Sequence, residues 1–109
     1  IRAYQIEGIR YLRVQNIRPF EFNLDDVKFI HDTPKKSKVV LETGDILITR
    51  KGTYGVATLV TPDVVDSIIS SEIILLRLSN DSKFLPEFVV AWINSQYAQS
   101  LLTQNTTGQ

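Results

Sequence analysis

The sequence predicts an α+β domain, in which a curved and mainly antiparallel sheet with short helices precedes a C-terminal helical arm. Two observations predict this class. Most of the chain up to residue 78 consists of short β-rich stretches separated by Gly, Pro, Asn and Asp residues, which favour turns. From Pro86 onward, apolar residues instead recur at the spacing of one helix face.

The first predicted strands lie within the N-terminal third of the chain. Over residues 9–17, Leu12 and Val14 fall on one face while polar side chains alternate with them on the other, which is typical of a half-buried strand. Pro19 ends this strand. A second short strand is predicted at residues 27–30.

A short helix and a β-hairpin are predicted in the middle of the chain. Thr33 is a helix-capping residue type and Pro34 suits a first turn, so they predict a helix of about two turns. Strands at residues 45–50 and 55–60 are expected to pair as a hairpin. Its four-residue tip is residues 51–54, which include a glycine that permits a positive φ.

The last predicted elements are a strand and the helical arm. Residues 71–78 are almost continuously apolar, which predicts a central strand covered on both faces. Pro86 opens the helix, and we interpret Trp92 as a core residue of its apolar stripe rather than as a base-stacking aromatic. The stripe consists of Phe88, Val89, Trp92 and Ile93 and continues with Tyr97, Ala98, Leu101 and Leu102.

Length and composition limit the classes of protein to which the chain can belong. Its 109 residues fit one domain, which we take to span residues 1–109. The sequence has no cysteine and one histidine, so no disulfide or metal site is expected. No apolar run approaches the roughly 18 residues of a membrane span, and no signal-peptide pattern opens the chain, so we expect a cytoplasmic location. The lack of methionine and the polar end indicate a fragment of a longer chain.

The charge of the chain is balanced overall but uneven along it. The formal net charge is zero, which argues weakly against nucleic-acid binding. Residues 1–60 contain ten Lys and Arg against seven Asp and Glu, whereas residues 61–109 contain two against five. Such a dipole could present a basic side to phosphate, although a chance fluctuation on a solvated surface explains it equally well.

Three stretches, in this order, carry a resemblance to a known family. They are residues 8–17 (GIRYLRVQNI), residues 44–55 (GDILITRKGTYG) and residues 85–95 (LPEFVVAWINS). Together they resemble the target-recognition domain of type I restriction–modification DNA specificity subunits, or the related domain of a fused restriction–methyltransferase. The pair Thr107-Gly108 is similar to the start of the segment that leads to the spacer helix in that family.

The resemblance implies a function and a set of partners. Domains of this family bind double-stranded DNA and read one half of a split target. They position it for methyltransferase (modification) subunits that modify adenine at N6, and a motor-nuclease (restriction) subunit joins the assembly. S-adenosylmethionine and ATP would belong to those partner subunits, so no cofactor is expected in this chain.

No catalytic site is expected in the chain itself. It has no Pro-Pro dipeptide, which the base-holding motif of an N6-adenine methyltransferase contains, and the glycines of the predicted hairpin do not open a helix. Asp63 and Glu72 have the spacing of a nuclease motif, but Ile74 occupies the position that requires lysine. A Ser–Lys hydrolase built on Ser37 and Lys38 is the remaining enzyme alternative, and no second signature accompanies it.

The candidate DNA-binding residues form three groups. The hairpin-tip group is Arg50, Lys51, Gly52, Thr53 and Tyr54. The base-edge group is Arg10, Arg13, Gln15, Asn16 and Arg18. Its side chains include the types that pair with the edges of guanine or adenine. The lysine group is Lys35, Lys36 and Lys38.

The hairpin-tip and base-edge groups are expected to have different tasks. The cations, hydroxyls and glycines of the hairpin tip suit phosphate contacts, which position a protein without reading sequence. The base-edge group is expected to read the sequence. Other interpretations stay open, since the glycines could simply form the turn and the lysines could form a solvated face. The chain as a whole could also be a β-rich protein-interaction or assembly domain without DNA contact, which its zero net charge favours.

Overall fold

The computed structural model of the chain describes residues 8–30, 40–49 and 55–107. In these ranges the strands are β1 (Ile9–Leu12), β2 (Ile17–Arg18), β3 (Glu21–Phe22), β4 (Lys28–Ile30), β5 (Ile46–Thr49), β6 (Ala57–Leu59), β7 (Ile68–Ile69) and β8 (Ile73–Leu76). The helices are α1 (Pro86–Ile93) and α2 (Gln96–Thr107). The predicted helix at Thr33 and the predicted hairpin tip at residues 51–54 lie outside the described residues.

The described strands form three small sheets, with the orders β4-β1-β7, β2-β3 and β6-β5-β8. Every pairing is antiparallel except that of β1 with β7. The predicted α+β class and the mainly antiparallel pairing are therefore confirmed. None of the described helices is long and apolar enough to cross a bilayer.

The predicted strand over residues 9–17 is interrupted, which corrects the sequence interpretation. β1 ends at Leu12, and a 3-10 turn over Val14–Asn16 separates it from β2. The side-chain Oδ1 of Asn16 accepts a hydrogen bond from the backbone N–H of Arg13 at 2.8 Å. This local bond offers the backbone an alternative to strand pairing, which alternation of residue types does not reveal.

The predicted hairpin is present, but the predicted central position of the last strand is wrong. β5 and β6 pair antiparallel in the register Leu47↔Thr58, as the sequence indicates. Among the described strands, β5 is the central strand of this sheet and β8 lies at its edge. Ile73 is buried but Ile74 is 45% exposed, because only one face of β8 packs on the core.

Two apolar clusters form the core of the described residues. The larger one joins β1 and β2 to β5 and β8, and its buried members are Leu12, Ile17, Leu41, Leu47, Val56, Val60, Val64 and Ile73. The smaller one lies between α1 and the β5–β6 pair, and its buried members are Ile46, Ala57 and Val90. The helical arm is thus fixed directly against the predicted hairpin.

The face of α1 that packs on the sheet is only partly the predicted one, since Val89 and Ile93 of the predicted stripe pack against the smaller cluster. Val90 is 2% exposed in the smaller cluster, whereas Trp92 is 48% and Phe88 55% exposed, so the interpretation of Trp92 as a core residue is wrong. The rotation of the helix is set at its end, where the side chain of Asn94 makes two hydrogen bonds to the backbone of Ala57, each of 2.9 Å. With the helix held in this rotation, Phe88 and Trp92 face outward.

The outward side of the helical arm carries what we call the exposed aromatic face, made of Phe84, Leu85, Phe88, Trp92 and Tyr97. The rings of Phe84 and Phe88 stack at 5.8 Å, and those of Trp92 and Tyr97 meet edge to face at 6.5 Å. No charged residue occurs from Phe88 to the last residue of the sequence. An exposed apolar surface of this kind is typical of an interaction site.

Candidate nucleic-acid interface

The structure describes the base-edge group of candidate residues but neither of the other two groups. The lysine group (Lys35, Lys36 and Lys38) and the hairpin-tip group (Arg50, Lys51, Gly52, Thr53 and Tyr54) lie outside the described residues. The base-edge group divides into side chains that the fold uses internally and side chains that remain available at the surface.

Asn16 belongs to the interior, so its prediction as a base-reading residue is corrected. Its side chain is 1% exposed. Its Oδ1 accepts from the backbone N–H of Arg13, and its Nδ2 donates to the carbonyls of Asn23 at 2.9 Å and Asp26 at 3.1 Å. With these three bonds made, the amide fixes the loop after β3 and has no surface to offer a base edge.

Arg13 is likewise committed to the loop after β3. Its Nη2 donates to the carbonyl of Asp26 at 2.7 Å and lies 3.7 Å from the carboxylate of the same residue. Only 18% of its side chain is exposed, and its Nε is buried without a hydrogen-bond partner in the described residues. A base contact by Arg13 would require breaking this arrangement, which makes it a poor candidate.

Arg10 extends from β1 to the 3-10 turn at Pro62–Val64. Its Nη1 donates to the carbonyl of Asp63 at 2.8 Å and to Oγ of Ser67 at 3.3 Å. The hydroxyl of Thr61 donates to the Asp63 carboxylate, and this bond holds the pKa of Asp63 below its usual value. Arg10 is therefore already tethered to the fold by its two hydrogen bonds.

Gln15 and Arg18 are the available members of the base-edge group. Both are exposed, and neither side chain makes a hydrogen bond or ion pair within the described residues. They line one groove of about 470 Å³, which we call the Gln15–Arg18 groove. Thr49 and Val56 line the same groove from the base of the β5–β6 hairpin. The fold thus brings a planar amide and a guanidinium next to the strand ends that flank the hairpin tip.

The base of the hairpin is held rigidly by backbone and side-chain bonds. The N–H of Thr49 donates to the carbonyl of Val56 at 3.0 Å, and the N–H of Val56 donates back to the Thr49 hydroxyl at 3.3 Å. From α2, Nε2 of Gln99 donates to the carbonyl of Gly55 at 3.0 Å. Together with Asn94 on Ala57, these bonds fix the segments on either side of residues 50–54.

Sequence reasoning missed Asn94 and Gln99, the two amides that connect the helical arm to the hairpin. The available signal was their position, since Asn94 interrupts an apolar stripe where a helix faces a sheet. A polar residue at such a place needs a hydrogen-bond partner across the interface. The sequence alone, however, does not show which residue of the sheet is that partner.

A second groove, of about 350 Å³, lies beside the ion pair of Asp45, which is buried, and Arg77, which is exposed. Asp45 is 2% exposed, and its two oxygens accept hydrogen bonds from Nε and Nη2 of Arg77 at 2.8 and 2.7 Å. Hydrogen bonding to Arg77 holds the pKa of Asp45 below its usual value and raises the pKa of Arg77. Arg77 also donates to the carbonyl of Val40 at 2.8 Å, so this pair joins the residue before β5, the residue after β8 and Val40.

The described part of the chain holds no cluster of three or more His, Asp or Glu side chains arranged to bind a metal ion. No protein-family model matches the sequence, and a search of curated proteins finds no significant match. The support for a function therefore comes from the residues of the candidate interface itself.

Proposed function

We propose that this chain is a non-catalytic, sequence-specific DNA-binding domain. In this proposal it reads one half of a split duplex target in the cytoplasm. It positions that half-site for a partner adenine-N6 methyltransferase and a restriction subunit, and those subunits supply S-adenosylmethionine and ATP chemistry. The resemblance described above suggests the partners, whereas the chain's own residues support the contact with DNA.

The observation that carries the proposal is the Gln15–Arg18 groove. Gln15 can pair with the edge of adenine and Arg18 with that of guanine, each through two hydrogen bonds. Their side chains are exposed and uncommitted, unlike those of Arg10, Arg13 and Asn16. The groove also adjoins the base of the β5–β6 hairpin, and the hairpin-tip group predicted from the sequence includes the cations Arg50 and Lys51. Base-reading and phosphate-binding groups are expected side by side in a DNA interface.

Selection from a random duplex library tests the proposal directly. The full-length chain, together with its methyltransferase partner, is expected to enrich one discrete sequence motif. Affinity for that motif should fall steeply between about 50 and 200 mM salt, because phosphate contacts release counterions. Recovery of no motif, together with salt-independent binding, would refute the function.

We expect the Gln15–Arg18 groove to read bases and the hairpin-tip group to bind phosphates. Replacing Gln15 or Arg18 by alanine should cost about 1–3 kcal/mol on the selected target and relax preference at one base position. Replacing Arg50 and Lys51 together by alanine should weaken binding to all sequences alike and flatten the salt slope by about one to two units.

Titrations of matched and mismatched duplexes over a range of salt concentrations measure both effects. Lys83→Ala provides the control, since this exposed cation precedes α1 and does not line the Gln15–Arg18 groove. If the Arg50/Lys51 change altered sequence preference and left the salt slope intact, the two roles would be reversed.

The exposed aromatic face favours a second candidate function, that of an assembly domain without DNA contact. Its occupant would be a second copy of this chain, since an uncharged apolar surface can meet its own copy without charge repulsion. At about 200 Å² per aromatic side chain, the exposed fractions of its four rings amount to roughly 450 Å² in one copy. Two copies would bury close to the 1,000 Å² or so of a specific interface.

One experiment on the Phe88/Trp92 double variant distinguishes the assembly function from the DNA-binding function. Under the assembly function, the wild-type chain sediments as a dimer and replacing Phe88 and Trp92 by serine makes it monomeric, while duplex DNA is not bound. Under the DNA-binding function, the same double variant retains the affinity of the wild type for the selected motif.

A further inference from the structure

The turn between β2 and β3 contains a strained residue. β2 and β3 pair in the register Arg18↔Glu21, so Pro19 and Phe20 form a two-residue turn. Phe20 has a φ of 69°, and it is the one described residue other than glycine with a positive φ. Proline followed by a residue of positive φ matches a type II turn, in which glycine or asparagine is the usual second residue. A bulky aromatic residue in this conformation is unusual and strained.

Within the described part of the chain, no packing of the Phe20 ring explains this strain. The residue is 62% exposed and belongs to neither apolar cluster. Glycine or asparagine would adopt the same backbone conformation with less strain. Strained residues that structure alone does not require occur preferentially at functional sites.

The backbone of Phe20 is nevertheless firmly held. Its N–H donates to the carbonyl of Ala57 at 3.0 Å, which ties the turn to β6. The same carbonyl accepts a hydrogen bond from Nδ2 of Asn94 at 2.9 Å, so the turn, the hairpin and the helical arm meet at one atom. The ring thus projects toward solvent from a fixed base.

The location of the ring relates it to the candidate interface. Arg18 and Pro19, the two residues before Phe20, both line the Gln15–Arg18 groove. An aromatic ring at the rim of a groove with a guanidinium and an amide has the chemistry of a base-stacking residue. Aromatic and apolar side chains of DNA-binding proteins insert between base steps or stack on unstacked bases.

We propose that Phe20 is a wedge residue, whose ring stacks on a nucleobase at an opened base step of the bound duplex. This inference rests on the proposed function and adds a second kind of contact to it. Gln15 and Arg18 would read base edges, while Phe20 would contact a base face. The strain at position 20 is then retained because the ring is needed there.

The test uses substitutions that remove the Phe20 ring without disturbing the backbone of the turn. Phe20→Gly and Phe20→Asn suit a positive φ, so the full-length variants are expected to have the same or a higher thermal midpoint than the wild type. Their affinity for the selected duplex should nevertheless fall by about tenfold or more, since a stacked base is lost. Phe20→Trp keeps an aromatic ring in the strained turn and should retain wild-type affinity.

A fluorescent base gives a readout that a purely structural role would not change. 2-Aminopurine is placed in turn at each adenine of the selected duplex. One position is expected to brighten when the wild type binds, and this signal should disappear with Phe20→Gly and persist with Phe20→Trp. Loss of stability in Phe20→Gly would overturn the proposal, because the ring would then support the fold.

The outcomes also separate this inference from the proposed function. If the wild type binds no duplex, the proposed DNA-binding function fails and the wedge fails with it. If the wild type binds its selected target but Phe20→Gly binds equally well with an unchanged fluorescence signal, only the wedge is refuted.

Discussion

Replacing Arg77 by alanine is expected to lower the free energy of unfolding substantially, because it leaves the carboxylate of Asp45, which is buried, without its counter-ion. Asp45 is 2% exposed and accepts two hydrogen bonds from this guanidinium. After the substitution, the backbone N–H of Glu42, at 2.8 Å, is the one partner of the carboxylate recorded within the described residues. Urea denaturation at neutral pH measures the loss.

The pH dependence of stability provides an independent check on the same pair. The pKa of Asp45 is lowered in the folded chain, so the unfolded chain takes up this proton at a higher pH. The stabilisation is therefore complete above the ordinary carboxyl pKa of about 3.9 and is lost as the pH falls through the folded pKa. In Asp45→Asn the acid limb of the stability curve should be flatter than in the wild type.

Arg77→Lys and Lys83→Ala complete the comparison. Lysine keeps the charge but cannot present two parallel donors, so Arg77→Lys should fall between the wild type and Arg77→Ala. Lys83→Ala removes an exposed cation and should change the unfolding free energy little. Equal stability of Arg77→Ala and the wild type would contradict a structural role for the pair.

Replacing Asn16 by alanine is the second substitution with a large expected effect, a loss of about 2–3 kcal/mol in the free energy of unfolding. The change leaves the backbone N–H of Arg13 and the carbonyl of Asn23 without their side-chain partner, and the carbonyl of Asp26 keeps only its bond from Arg13. The 3-10 turn and the loop after β3 should therefore loosen. Chemical denaturation measures the loss, and binding is compared at equal concentrations of folded protein.

DNA binding decides whether Asn16 has any role beyond the fold. Once corrected for the folded fraction, the preference of Asn16→Ala for bases is expected to match that of the wild type. The neighbouring substitution Gln15→Ala should show the reverse, with unchanged stability and a relaxed preference. If Asn16→Ala folded stably and lost discrimination at one base position, Asn16 would be a base reader after all.

The strands and the helical arm could be predicted because their signals are local. The β5–β6 hairpin follows from two apolar stretches around a glycine-containing tip, and α1 follows from Pro86 and its helical spacing. Period and turn chemistry act between near neighbours in the chain, so they can be recognised without knowing what packs against them. The α+β class follows from the order of those signals.

Predictions that depended on a distant partner were the ones corrected. The sequence alone does not show that Asn16 turns inward or that β8 lies at a sheet edge. Trp92 also looked like a core residue because it shares an apolar stripe with Ile93. Which side of a stripe is buried depends on the contacting surface, and here two hydrogen bonds from Asn94 to Ala57 select the side with Val90.

For the candidate interface too, some features follow from the sequence and others only from the tertiary structure. The sequence by itself determined the residue types available for binding DNA, among them Gln15 and Arg18, and the hairpin that follows them. Only the tertiary structure decided which of these side chains are free. Arg10 and Arg13 are occupied by carbonyls 53 and 13 residues further along the chain, whereas Gln15 and Arg18 are exposed. A side chain's availability depends on what the fold places within hydrogen-bond distance of it, and that is a property of three-dimensional contact rather than of residue type.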